Sequence, residues 1–272
     1  MTSYRIAGLR KIYTSEKIEL SHKKNREIEK KLEKSRYQYE QNIRKSFIHS
    51  YFHSYRITIF GSAKIHDISA ENFRFVSNLT KRLGKVMDID IVTGGGGGLM
   101  LAANHGLAEA VIEAKKNNRK HNGKNLGIMV DLPGGEGGEK FLQGNGYLDY
   151  SKKFENFSTR LEEFVRDSNG VYLAPGGFGT DLEAAMFIQL KQKGKLEYNF
   201  PILAHPFWKP IFNYEKHLMY GKRIKKGKTA YITENDLNLI YYTDNISEIV
   251  RIFKKSYSSW KNLKKKKVVY SE

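Results

Sequence analysis

The sequence predicts an α/β fold: a doubly wound, Rossmann-like parallel sheet with helices on both faces, plus a helical N-terminal extension. Short apolar segments alternate along the chain with segments of helical periodicity. These short segments are apolar almost throughout, which is typical of parallel strands that are covered on both faces. Glycine-rich turns follow three of them, and right-handed crossovers bring such turns to one edge of a sheet.

Each predicted element has its own sequence signal. Strands are expected where the chain is short, apolar and β-branched, at residues 56–60, 89–93, 125–133, 171–175, 201–206 and 238–244. Helices are expected where apolar residues recur at helical spacing, at residues 70–85, 99–116, 158–170, 180–193, 208–218 and 247–255. The glycine-rich stretch 134–157 is predicted to be an irregular loop, and a loop of that length is more often functional than idle.

These elements divide the chain into three parts. Residues 1–55 mix Lys, Arg and Glu with few apolar residues, which indicates a solvated helical extension with (i, i+4) ion pairs. Residues 56–255 form the predicted Rossmann-like nucleotide-binding domain. Residues 256–272 are expected to be a frayed basic tail.

Composition excludes several classes of protein. The chain has 272 residues and is 40% hydrophobic, enough for one large core. It has no cysteine, so disulfides and thiol catalysis are excluded. No apolar stretch approaches the roughly 18 residues that span a bilayer, and the N-terminus does not resemble a signal peptide. We therefore expect a cytoplasmic protein with no membrane partner.

The net charge of +18 has two interpretations. A basic protein attracts nucleic acid, membrane surfaces or small anions. Alternatively, the charge reflects a composition rich in Lys and Asn, as an AT-biased genome produces, and we favour this interpretation. The basic ends lack the interleaved aromatic residues of a single-strand nucleic-acid platform, so nucleic acid is not an expected partner.

The glycine turns predict an anion site. Glycine admits positive φ and lets a ligand approach the backbone N–H groups, and a helix N-terminus adds unpaired N–H groups and partial positive charge. Two such turns that each lead into a helix favour phosphate as the ligand. The alternative is that the glycines only permit tight packing of strands and helices. The candidate phosphate- or nucleotide-binding residues are Gly61, Ser62, Gly95, Gly96, Gly97, Gly98, Met100, Gly176, Gly177, Gly179 and Thr180.

Other nucleotide and metal motifs fit poorly. The chain has no P-loop sequence, and the five glycines 94–98 follow the second strand, where a dinucleotide fingerprint is not expected. His105, His121 and His205 lack the spacing of metal ligands, so no metal is expected.

The stretch "PGGFGTDLE", residues 175–183, matches the pattern P-G-G-x-G-T-x-x-E. This pattern resembles the signature of the LOG (Lonely Guy) family, whose members were long labelled lysine decarboxylases. "ITIFGSAK" at 57–64 and "VTGGGGGLMLAANHG" at 92–106 are similar to the family's first two turns, and the resemblance covers roughly residues 56–255. Nothing identifies a pyridoxal-phosphate lysine, so the decarboxylase interpretation is not supported.

The resemblance implies a phosphoribohydrolase that needs no metal or organic cofactor. Such an enzyme cleaves a nucleoside 5′-monophosphate, AMP-like or a cytokinin ribotide, to free base and ribose 5-phosphate. The family's catalytic arginine and glutamate correspond to Arg160 and Glu183, whereas Leu161 replaces a lysine that is common in the family. The resemblance also implies a homodimer or a higher homo-oligomer.

The chemistry agrees with these two residues. Breaking an N-glycosidic bond creates an oxocarbenium-like cation, which a carboxylate stabilises while it activates water. An arginine can bind phosphate or hydroxyl groups, or help the base to depart. The alternative is that neither residue has a functional role, with Glu183 solvated in the first turns of its helix and Arg160 on the surface.

Two other functions stay open at this point. One is a non-catalytic nucleotide or phosphorylated-cofactor binding or carrier protein on the same fold, against which the presence of both Arg160 and Glu183 favours the enzyme. The other is a nucleic-acid binder that uses the basic ends, for which affinity would fall steeply with salt.

Overall fold

The computed structural model describes residues 54–130, 144–196 and 199–269, with side chains as far as Leu263. Residues 1–53 of the predicted N-terminal extension lie outside the described residues. The strands are β1 (Tyr55–Phe60), β2 (Ile89–Thr93), β3 (Asn125–Val130), β4 (Tyr150–Phe154), β5 (Gly170–Leu173), β6 (Ile202–Ala204) and β7 (Tyr241–Tyr242). The α-helices are α1 (Glu71–Val86), α2 (Leu99–Lys116), α3 (Phe157–Arg166), α4 (Phe178–Gln192), α5 (Lys209–Lys216), α6 (Lys222–Lys225) and α7 (Ile246–Val269). Single helical turns occupy Pro206–Trp208, His217–Gly221 and Glu234–Asn238.

The seven strands form one parallel sheet in the order β4-β3-β2-β1-β5-β6-β7. The chain builds the sheet outward from β1 to β4, and then returns to add β5 on the other side of β1. The strand order therefore reverses between β1 and β5, which is where ligands bind in doubly wound sheets. The predicted fold class is confirmed.

The central strands are apolar because both of their faces are covered. Alternate residues of a strand point to opposite faces. In β1, Ile57 and Ile59 contribute to one buried cluster, together with side chains of α1, α2 and α7. Phe60 joins the other cluster, which includes side chains of α3, α4 and α5. Because both faces of the central strands are packed, the strand ends that lead into the glycine turns are held in position.

The prediction of an irregular loop over 134–157 is wrong for β4. "YSKKF" pairs with β3 along its whole length, yet four of its five side chains are exposed. A strand at the edge of a sheet hydrogen-bonds on one side only and needs no apolar pattern. Its sequence therefore lacks the signal on which the other strands were predicted.

The last helix is longer than predicted. α7 continues past position 255 to Val269, so the segment expected to be a frayed tail is helical as far as that residue. Tyr257 and Trp260 are buried, and their ring centroids lie 5.4 Å and 5.6 Å from that of Tyr55. These aromatic contacts anchor the helix to the first strand. None of the helices in the described ranges has the length and apolar character needed to cross a bilayer.

Candidate functional site

Three turns meet at the carboxyl edge of the sheet. The backbone N–H of Ser62, after β1, donates to the carbonyl of Pro175, after β5, at 3.0 Å. The N–H of Leu99, at the start of α2, donates to the carbonyl of Ser62 at 2.9 Å. The turn after β1 therefore connects the turns that begin α2 and α4, at the switch in strand order.

Tight packing explains some of the glycines. Gly98 has φ +63°, and a Cβ atom there would lie 2.4 Å from the carbonyl oxygen of Ser62. A Cβ atom on Gly176 would lie 2.3 Å from Oγ1 of Thr180. A side chain on Gly98 would force the turns after β1 and β2 apart, and one on Gly176 would displace the Thr180 side chain in the first turn of α4.

Packing does not explain Gly177 and Gly179. A Cβ atom added at either position would meet nothing within 4 Å. Both residues are exposed at the N-terminus of α4, where helix N–H groups lack partners in the helix. This turn therefore has the open space that a ligand on its N–H groups requires.

Arg160 and Glu183 form a buried ion pair beside these turns. Nη1 of Arg160, on α3, lies 3.2 Å from Oε1 of Glu183, on α4, and their side chains are 12% and 8% exposed. Nε of Arg160 donates to the carbonyl of Ile128 at 2.9 Å, and the guanidinium carbon lies 4.8 Å from the ring centroid of Phe164. These contacts fix the arginine between β3 and the motif helix.

Arg160 also borders the second glycine turn, which is formed by residues 94–98 after β2. A Cβ atom on Gly94 would lie 2.7 Å from Nη2 of Arg160 and 2.7 Å from Sδ of Met100. The absence of a side chain at Gly94 thus admits the guanidinium to the turn. The structure places the two candidate catalytic residues and the candidate anion-binding turns in one region.

Burial sets the electrostatics of the pair. Burial raises the pKa of Glu183 to about 7, although the charge and hydrogen bond of Arg160 act in the opposite direction. Burial likewise lowers the pKa of Arg160, and Glu183 opposes that change. A carboxyl group with a pKa near neutrality can exchange a proton with water under physiological conditions, as a general base must.

Comparison with known proteins gives the family. Residues 106–252, more than half of the chain, match the family described as "Possible lysine decarboxylase". The chain belongs to this family, the LOG family. No curated protein sequence matches it.

Two solved structures resemble this chain at low sequence identity. The molybdenum cofactor carrier protein of Chlamydomonas reinhardtii is 17% identical, with a TM-score of 0.51 over 76% of this chain and 99% of that one. The molybdenum cofactor binding protein of the phototrophic bacterium Rippkaea orientalis is 14% identical, with a TM-score of 0.49 over 75% of this chain and 97% of that one. The first similarity indicates a common fold.

The two acidic residues of the LOG motif lie in different surroundings. Glu183 is buried against Arg160, whereas Asp181 is only half-buried. Burial raises the pKa of Glu215 on α5, and the charge of Asp181 adds to that effect. Of the two acidic residues, Glu183 is the one that contacts the arginine. Leu161, at the position where the family commonly has a lysine, is half-buried in α3.

The three histidines considered above make hydrogen bonds within the fold. Their partners are the Ser77 hydroxyl for His105, the Gly84 carbonyl for His121 and the Phe207 N–H for His205. Among the residues that the structure describes, no three His, Asp or Glu side chains are placed to hold a metal ion.

Sequence reasoning missed Asn145. This buried residue lies in the loop before β4 and contacts the second glycine turn. Its only signal in the sequence is an asparagine between two glycines, in "GNG" at 144–146. The contact joins residues 49 positions apart, so no local pattern predicts it.

Proposed function

We propose that this LOG-family protein hydrolyses the N-glycosidic bond of a nucleoside 5′-monophosphate, AMP or a related nucleotide, to free base and ribose 5-phosphate. The observation that carries the proposal is the buried pair of Arg160 and Glu183 beside the turns at the switch in strand order. An enzyme of this kind needs a carboxylate near C1′ and donors for the 5′-phosphate. This edge of the sheet offers both.

The proposed reaction consumes one water molecule. The bond between C1′ and the base nitrogen breaks, and its electron pair leaves with the base. Glu183 stabilises the cationic ribosyl group and removes a proton from the water whose oxygen bonds to C1′. The departing nitrogen takes up one proton, so the net products are the free base and ribose 5-phosphate.

The turns supply the phosphate site in this proposal. The open N-terminus of α4 at Gly177 and Gly179 presents N–H groups to an anion, and the glycine turn before α2 lies beside it. Arg160 borders the turn before α2 and contacts Glu183, so it is placed to orient the ribose between phosphate and carboxylate. The proposed chemistry needs no metal and no organic cofactor.

We expect the protein to release free base from AMP and not from adenosine. Charge-assisted hydrogen bonds contribute roughly 1.5–3 kcal/mol each, so loss of the phosphate should abolish most of the binding. A panel of nucleoside 5′-monophosphates and the matching nucleosides, analysed by chromatography for base and ribose 5-phosphate, tests this. Comparable binding or cleavage of adenosine and AMP would contradict the proposed phosphate site.

The second candidate is a non-catalytic nucleotide or phosphorylated-cofactor carrier. In this alternative the ion pair is structural, with the charge of Arg160 compensating that of the buried Glu183. The Chlamydomonas protein that shares the fold is named as a carrier. Tight binding of 5′-monophosphates across the panel with no base released would select this candidate over the enzyme.

We also propose that the protein is a homodimer or a larger homo-oligomer. The first turns of α4, the helix that carries Glu183, expose two large apolar side chains: Phe178 is 94% exposed and Leu182 is 47% exposed. Light scattering should therefore give a mass of at least two chains, and Phe178→Asp should lower it. Light scattering that gives a monomer at micromolar concentration would refute the assembly.

A further inference from the structure

Asn145 donates hydrogen bonds to two carbonyl groups of the second glycine turn. Its backbone N–H donates to the carbonyl of Gly95 at 2.8 Å. Its side-chain Nδ2 donates to the carbonyl of Gly96 at 3.0 Å, and to Oδ1 of Asn104 at 3.0 Å. Two consecutive carbonyl groups of the turn therefore point toward one residue.

Peptide geometry then fixes the N–H groups on the other side. In a trans peptide, the C=O and N–H bonds lie in one plane and point in opposite directions. Because the carbonyls of Gly95 and Gly96 face Asn145, the N–H groups of Gly96 and Gly97 point away from it. Two adjacent N–H groups with a common direction make a concave donor site for an anion.

Within the described ranges these two N–H groups have no hydrogen-bond acceptor. Gly96 and Gly97 are each partly exposed. The turn directly precedes α2, whose N-terminus adds partial positive charge.

A buried network holds the Asn145 amide in this orientation. Oδ1 of Asn104 accepts from Asn145 and also from the Thr93 hydroxyl at 2.9 Å. Nδ2 of Asn104 donates to Oδ1 of Asn125 at 3.0 Å, and Asn104 is fully buried. The groups that face Nδ2 of Asn145 are all acceptors, so this amide must present its NH₂ group to the turn.

We propose that Asn145 is a positioning residue that shapes a phosphate site from the N–H groups of Gly96 and Gly97. The inference rests on the proposed phosphorylated substrate, and it assigns that substrate's phosphate to a specific pair of donors. Leu148 also lies against this turn, since a Cβ atom on Gly95 would lie 3.4 Å from its Cδ1.

Asn145→Asp tests the inference because it keeps the shape and removes the NH₂ donor. Its carboxylate would face the carbonyl of Gly96 and Oδ1 of Asn104, both acceptors, so the turn should release its carbonyls. We expect calorimetric affinities for AMP and for inorganic phosphate to fall on the order of 10- to 100-fold, and that for adenosine to change less than about threefold. In steady-state assays, KM for AMP should rise more than kcat falls.

Two further variants make the result decisive. Asn169→Asp adds the same charge at the amino edge of the sheet, where Oδ1 of Asn169 accepts from the N–H of Arg56, so phosphate affinity should not change. Asn145→Ala removes the amide without adding charge and should weaken AMP and phosphate binding in the same direction, which covers the case in which the Asp variant does not fold.

The possible results separate the inference from the proposed function. Equal losses for AMP and adenosine, or unchanged phosphate affinity in both Asn145 variants, would overturn the positioning role. If the unmodified protein binds inorganic phosphate but cleaves no nucleotide, the proposed hydrolase is wrong. In that case, loss of phosphate binding in the Asn145 variants would still support the site.

Discussion

Glu183→Gln is expected to lower the turnover of a nucleoside 5′-monophosphate by about 10²–10³, the usual cost of losing one electrostatic contact to a transition state. Gln keeps the size of the side chain but cannot stabilise a ribosyl cation or accept a proton from water. Affinity for the nucleotide should change much less, because the ground state carries no full positive charge at C1′. Single-turnover rates and calorimetric affinity measure the two quantities separately.

Asp181→Asn is the matched control. It removes a carboxylate from the same helix, two residues earlier, where the side chain is half-buried, whereas the ion pair of Arg160 is with Glu183. We expect near-normal turnover, since a shift of two positions turns a side chain to another face of a helix. Loss of base release in Asp181→Asn, with normal turnover in Glu183→Gln, would show that the wrong carboxylate has been assigned.

The sequence was sufficient for the parts of the fold whose signals are local. β2 and α2 lie at the predicted residues 89–93 and 99–116, because an apolar β-branched run and an apolar helical stripe are properties of neighbouring residues. β4 was missed because an edge strand with exposed side chains has no such pattern. α7 was cut short at 255 because its basic residues conceal the buried Tyr257 and Trp260.

The candidate site was predictable in composition but not in geometry. The motif pattern identified Glu183, and the family resemblance paired it with Arg160. Their ion pair, and the burial that raises the pKa of Glu183, depend on how α3 and α4 pack. Asn145 acts through hydrogen bonds to residues some 50 positions away, so only the folded chain reveals it.

Arg160→Met should move the pH dependence of the reaction, because the arginine is the group that opposes the effect of burial on Glu183. In the unmodified protein, the active carboxylate should form as the pH rises through about 7, the pKa of Glu183. Met fills much of the same space without charge, so burial then acts unopposed and the pKa of Glu183 should rise further. At pH 7 the variant should lose at least about 10² in kcat/KM, with partial recovery at higher pH.

The same change should appear in stability. Glu183 has a pKa of about 7 in the folded protein against a usual value of 4.5, so the folded state keeps a proton that the unfolded state has released. The free energy of unfolding should therefore fall as pH rises from about 4.5 toward the pKa of the folded state, and fall further in Arg160→Met than in the unmodified protein. Urea unfolding at several pH values, alongside pH profiles of kcat/KM, measures both effects. Arg160→Lys restores a cation, so the pH at which kcat/KM rises on the acid side of the profile should move part of the way back to that of the unmodified protein.

If kcat/KM rose at the same pH in Arg160→Met and in the unmodified protein, and if both unfolded with the same pH dependence, Arg160 would not control the ionisation of Glu183.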